Sequence, residues 1–102
     1  MKMITAIVRP KKLQDIQTLL VTENIERYTV EHVMGCGNQW GYAESGKKSA
    51  IEINLLEKIK VEIEIPAENV NRLVKKIMKL CRTPRYGDGK IFVINIPECY
   101  GM

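Results

Sequence analysis

Apolar positions along this chain follow two periods, and the switches between them mark out its elements. Met1 to Val8 is apolar on both faces, as a strand at the centre of a sheet would be. Pro10 suits the first position of a helix, where its missing N–H costs nothing, and Leu13, Ile16, Leu19 and Leu20 then repeat at helical spacing to about residue 22. Asn24 ends that pattern. Ile25 to Met34, rich in Ile, Tyr, Thr and Val, reads as a second strand. Gly35 to Lys48 is different in kind. It holds Gly35, Gly37, Gly41 and Gly46 among mostly polar neighbours and reads as a long exposed loop, a feature usually functional in a compact domain.

Periodicity returns with Ile51, Ile53 and Leu55, then Ile59, Val61, Ile63 and Ile65, all in one alternating phase. This predicts a long third strand, interrupted near Glu57, whose other face carries Glu52, Lys58, Lys60, Glu62 and Glu64. Pro66 restarts a helix with Val70, Leu73, Val74, Ile77 and Cys81 on one stripe and Arg72, Lys75, Lys76 and Lys79 outside it. That helix must end before Pro84, because the residue preceding a proline is pushed out of helical geometry. Ile91 to Ile96 is the last predicted strand, closed by Pro97.

The order is βαβ, long loop, βαβ. Ile7-Val8-Arg9-Pro10 and Ile63-Glu64-Ile65-Pro66 form a weak repeat, each ending a strand and starting a helix. Two such units predict an α+β, ferredoxin-like sandwich: a four-stranded antiparallel sheet with two helices on one face. Its other face is left open, so oligomerisation is expected. At 102 residues the chain is expected to be a single domain over 1–102.

Composition narrows the function classes. With 45% hydrophobic and 27% charged residues the chain is globular rather than disordered, and a net charge of +4 favours anionic ligands without arguing strongly for nucleic acid. No apolar run approaches a membrane span, and neither membrane insertion nor a signal peptide is expected. Cys36, Cys81 and Cys99 are odd in number and far apart, with His32 the single histidine, so neither a zinc site nor a disulfide framework is indicated. Reduced thiols in the cytoplasm are the expectation.

The stretch with most chemistry in it is Thr83-Pro84-Arg85-Tyr86-Gly87-Asp88-Gly89-Lys90. Glycines at that spacing bring backbone N–H groups close to a ligand, and a concave set of donors beside a lysine favours an anion, most plausibly a phosphate. A tight turn feeding a buried strand is the plainer alternative. Gly41 to Ser49 nearly fits a P-loop, but Lys48 stands where a Ser or Thr should bind magnesium, and a strand pattern rather than a helix follows. An RNA-recognition domain shares the βαββαβ order but needs aromatics on its first and third strands, and Met1 to Val8 and Lys58 to Ile65 have none. No nucleophile, base and acid spacing stands out, so a binding module is favoured over a catalyst.

On these residues the chain resembles the PII signal-transduction proteins of nitrogen metabolism over its whole length. The match is carried by Thr83-x-x-x-Gly87-Asp88-Gly89-Lys90-Ile91-Phe92-Val93, by Arg9-Pro10-x-x-Leu13, by Gly35-x-Gly37-x-Gln39-x-Gly41, and by Lys58-x-Lys60-x-Glu62 before Pro66. The resemblance implies a cytoplasmic homotrimer, not an enzyme, with nucleotide clefts between neighbouring subunits. It implies ATP or ADP as ligand, Mg2+ with ATP, and 2-oxoglutarate as effector. A long loop, about residues 37–55, would dock on a protein target such as an ammonium transporter or an enzyme of nitrogen assimilation, and a phosphate-binding loop would span about 82–90.

Carried over by position, Gly87, Asp88, Gly89 and Lys90 would hold the phosphates, and Ile7, Thr29, Gly35, Gly37, Asn38, Gln39, Glu62 and Glu64 would complete the nucleotide site. Gln39 would also bind Mg2+, and Arg9, Gln39, Gly41 and Lys58 would hold 2-oxoglutarate. Some positions depart from the family. Ile51 replaces the tyrosine that many relatives modify, Ser49 lies in a context unlike that of phosphorylated relatives, and neither is expected to be modified. Asn38 and Trp40 replace residues that are often basic, and Pro84-Arg85-Tyr86 stands where Gly-Lys-Ile is common. Gly101 and Met102 stand where an arginine-containing segment would begin, so weaker nucleotide binding than the family norm is expected. Two other readings are a divergent sensor of another small anion or adenylyl nucleotide, and a small ferredoxin-like enzyme acting on a phosphorylated substrate.

Overall fold

A computed structural model describes the backbone of residues 1–42, 48–82 and 89–102, and side chains in those segments outside 35–42 and 48–55. Strand β1 (Lys2–Val8) leads through a single turn at Pro10–Lys12 into helix α1 (Leu13–Thr22). Strands β2 (Tyr28–Tyr42) and β3 (Lys48–Ile65) form a long antiparallel ribbon. A second short turn, Ala67–Asn69, opens helix α2 (Val70–Cys81), and β4 (Gly89–Asn95) completes the sheet. The strand order is β2-β3-β1-β4, with all three neighbouring pairs antiparallel. This is the expected four-stranded sheet with two helices.

Asn24 shows why α1 stops where it does. It takes φ 59, and the N–H groups of Asn24 and Ile25 donate to the carbonyls of Val21 and Leu20 at 3.0 and 2.8 Å. That pair of bonds satisfies carbonyls a helix end would otherwise leave open, and asparagine tolerates the left-handed conformation it requires. Because Ile25 is used in closing the helix, β2 begins at Tyr28 rather than at Ile25.

Register divides the sheet cleanly. Ile4, Ala6 and Val8 of β1 lie opposite Ile63, Val61 and Ile59 of β3, and all six are buried. Ile16 and Leu20 of α1 and Val70, Leu73, Ile77 and Cys81 of α2 close over them. Each fully buried Ile or Leu contributes on the order of 1.5–3 kcal/mol by leaving water. An ion-paired cluster ties the two helices at the surface: Glu23, after the end of α1, hydrogen-bonds Lys76 of α2 and lies 3.3 Å from Arg72.

Two expectations need correction. Most of Gly35 to Lys48 is ladder rather than loop: β2 runs on to Tyr42, β3 starts at Lys48, and the pairs continue from Gly35↔Leu56 to Trp40↔Ile51, with an irregularity between Trp40 and Tyr42. The polar, glycine-rich sequence hides a strand whose hydrogen bonds are supplied by β3, a partner with a strong alternating pattern. The interruption expected near Glu57 is likewise absent, since Glu57 is paired with Met34 inside a continuous β3. Residues 43–47, between β2 and β3 in sequence, and 83–88, which hold most of the glycine-rich stretch singled out above, lie outside the described residues.

Candidate nucleotide site on the open sheet face

Residues opposite one another in antiparallel strands share a face. The register therefore fixes what lies side by side on the face away from the helices. One row runs Glu31, Lys60, Ile7, Lys90, and the next runs Thr29, Glu62, Thr5, Phe92. Four residues nominated from the sequence, Ile7, Thr29, Glu62 and Lys90, thus occupy two adjacent rows although they come from four different strands. Glu64 belongs to the following row, with Met3 and Ile94, and its carboxylate lies 3.9 Å from the thiol of Cys99.

Gly89 closes the β4 end of this face. Its φ is +140, a conformation L side chains rarely adopt, and a Cβ there would overlap the carbonyl oxygen of Ile7. Glycine is required at this point because β4 begins with its backbone pressed against the Ile7 carbonyl of β1. The expected start of the strand at Ile91 moves to Gly89 for that reason. Gly87 and Asp88, nominated beside it, fall outside the described residues. Arg82 and Gly89, which bracket that stretch, both line a groove of about 300 Å³ between α2 and β4, floored by Val8, Ile77, Cys81 and Ile91.

The electrostatics of the face come from its neighbours. Lys60 lies 3.5 Å from Glu31 and 4.0 Å from Glu62. Lys90 is exposed at the end of the same row. The sequence gives neither residue a role at the site: Lys60 enters only within the motif Lys58-x-Lys60-x-Glu62, and Glu31 not at all. The signal available was the charge alternation Lys58, Lys60, Glu62, Glu64, which reads equally well as an ordinary solvated strand face.

The remaining nominated residues follow β2 outward. Lys58 pairs with Val33, one step from the Lys60 row, and Arg9 follows the end of β1. Both have interactions of their own. Gly35, Gly37, Asn38 and Gln39 lie in the ribbon, opposite Leu56, Asn54, Ile53 and Glu52. Gln39 is ten residues beyond Thr29, which at ~3.3 Å per residue is roughly 33 Å along the strand. Gly41 lies further still, at the irregularity. In this conformation Gln39 and Gly41 are not beside Ile7 and Lys90. Among the described residues no group of acidic, histidine and cysteine side chains is arranged to hold a metal, and no described helix is long and apolar enough to cross a membrane.

Comparison with known proteins gives this arrangement its context. A family model described as "Nitrogen regulatory protein P-II" matches residues 1–102. A nitrogen regulatory protein P-II from Pyropia yezoensis is 44% identical over 96 residues, covering 94% of this chain and 86% of the relative. The nitrogen regulatory protein GlnK of Escherichia coli is 34% identical over 96 residues, with coverage of 94% and 86%. Among solved structures, a Bacillus subtilis GlnK–ATP complex matches with a TM-score of 0.77 at 28% identity, covering 94% of this chain and 84% of that one. With the whole chain matched by the family and the expected fold in place, this protein belongs to the nitrogen regulatory P-II family.

Proposed function

We propose that this chain is a cytoplasmic regulator that binds ATP or ADP on the open sheet face and acts on a protein target through the β2–β3 ribbon. The observation that carries this reading is the convergence of Ile7, Thr29, Glu62 and Lys90 on two adjacent rows, with Gly89 backed against Ile7 at their edge. Ile7 offers an apolar surface for a base, Glu62 an acceptor for a hydroxyl or amino group, and Lys90 a cation for phosphate. Gly87 and Asp88 would add backbone donors to the phosphates. The ATP complex of the Bacillus subtilis relative supports the ligand class.

Three copies would complete the site. The open face exposes Phe92 at 49% and Ile94 at 46%, apolar surface that a homotrimer would cover. In that assembly Mg2+ would sit between the phosphates and Gln39, and 2-oxoglutarate would be held by Arg9, Gln39, Gly41 and Lys58. A polyanionic nucleotide and a dicarboxylate can share so small a space only with metal and lysine charge between them. The target would be an ammonium transporter or an enzyme of nitrogen assimilation, regulated by binding rather than by turnover.

Calorimetric titration with ATP, ADP, AMP and 2-oxoglutarate, with and without Mg2+, tests the reading. Saturable binding of ATP and ADP is expected, with 2-oxoglutarate binding only when Mg-ATP is present. Preferential binding of AMP would favour the divergent-sensor reading, and sustained ATP turnover the enzymatic one.

A further inference from the structure

Lys60 stands between two carboxylates, its Nζ 3.5 Å from Oε1 of Glu31 and 4.0 Å from Oε1 of Glu62. The side chains of Lys60 and Glu62 are 29% and 25% exposed, while Glu31 is 51% exposed at the outer end of the row. A glutamate carboxylate can only accept hydrogen bonds, so whatever ligand group it meets must be a donor. Left alone on a strand, Glu62 would sample several rotamers and lose that freedom on binding. Lys60, an ion-pair partner 4.0 Å away that is held from the other side by Glu31, narrows that freedom in advance through its charge. Thr5, directly opposite Glu62, does not share the task. It is 7% exposed, and its hydroxyl has no hydrogen-bond partner among the described residues.

We propose that Lys60 is a positioning residue: anchored by Glu31, it presents the carboxylate of Glu62 to a hydroxyl or amino donor on the sugar or base of the bound nucleotide. This rests on the reading of the Ile7–Thr29–Glu62–Lys90 face as the nucleotide site. It differs from a role for Lys60 in attracting phosphate. A lysine that attracts phosphate acts independently of Glu62, whereas a lysine that positions Glu62 has nothing to act through once the carboxylate is gone.

A double-mutant cycle separates the two, with ATP affinity measured by calorimetry on the intact protein. Lys60→Met and Glu62→Gln are each expected to weaken ATP about tenfold, and the double variant no more than Glu62→Gln alone, the non-additivity of residues acting as one unit. Lys60→Arg is expected to restore most of the affinity, and Glu31→Gln to weaken it less than Lys60→Met does. 2′-Deoxy-ATP and the analogue of ATP lacking the 6-amino group locate the donor. One of them is expected to bind about tenfold more weakly than ATP to the unaltered protein, and equally with ATP to Lys60→Met. If Lys60→Met binds ATP at full strength, or weakens it as much on the Glu62→Gln background as on the original one, the proposal is overturned while the nucleotide face stands. If Glu62→Gln itself leaves ATP affinity unchanged, the assignment of Glu62 to the nucleotide site fails, and the proposal fails with it.

Discussion

Gly89 of β4 lies so close against Ile7 of β1 that a single added methyl group would collide with the Ile7 carbonyl oxygen. The two residues meet at the edge of the face where the nucleotide is proposed to bind. Gly89→Ala is therefore expected to be costly twice over. The φ of +140 alone is worth on the order of 1–3 kcal/mol against a non-glycine residue, and the overlap must push β4 away from β1. The expected outcome is a lower urea midpoint, together with weaker ATP binding because Lys90 moves with the strand.

The helix junction gives a prediction in pH. The hydrogen bond from Lys76 holds the Glu23 carboxyl below its ordinary value of 4.5, with the charges of Lys76 and Arg72 adding to it and partial desolvation opposing. A carboxyl depressed in the folded state stabilises the fold above its unfolded value, and that contribution disappears as pH falls through the folded value. Glu23→Gln should lower the thermal midpoint at neutral pH. The gap to the unaltered protein should shrink once the pH drops below 4.5. A gap that stays constant down to strongly acidic pH would show that Glu23 contributes through packing rather than charge.

These two sites differ in how far they could be read from the sequence. A glycine turn ahead of an apolar strand is visible in one dimension, as are the helical stripe from Val70 to Cys81 and the alternation of β3 from Ile59 to Ile65. Glu23 and Lys76 are 53 residues apart, and nothing local marks either as the other's partner. The same holds for Glu31 and Lys60, which meet only because β2 and β3 pair in one register. The extension of β2 to Tyr42 was illegible for a related reason. Its strand character comes from the ladder with β3, and its own glycines and polar residues argue for a loop.

The open face makes oligomerisation testable with one substitution. Phe92 and Ile94 lie on that face, in consecutive rows with Thr5 and Met3. Burying an unpaired carboxylate among such residues costs several kcal/mol. Phe92→Asp is expected to convert the proposed trimer into monomers by light scattering, with the core and its helical signal intact. A trimer that survives the substitution would place the interface elsewhere.

The 2-oxoglutarate assignment turns on Lys58. It lies in β3 opposite Val33, one step along the strand from the Lys60 row. Lys58→Ala should abolish the response to 2-oxoglutarate, since a dicarboxylate loses its cationic partner, and leave ADP binding largely unchanged. Equal losses for both ligands would mean that Lys58 serves the nucleotide itself.

The ribbon places a geometric demand on Gln39. Gln39 is paired opposite Glu52, six residues beyond Val33, or roughly 20 Å at the rise of a strand. If Gln39 is to hold Mg2+ at the phosphates, the ladder between residues 36–42 and 48–55 must open and β2 must fold back toward Ile7 and Lys90. ADP without metal makes no such demand. Hydrogen exchange should therefore show amides of residues 36–40 losing protection on addition of Mg-ATP with 2-oxoglutarate, while those of Val30 and Val61, deep in the same pair of strands, stay protected. ADP alone should leave both sets unchanged. Gln39→Ala should remove the Mg-ATP effect, because a ladder that pairs through backbone groups has no other reason to yield to the metal. Protection at residues 36–40 that is the same in every ligand state would mean that the ribbon stays paired and that Mg2+, if bound, is held without Gln39.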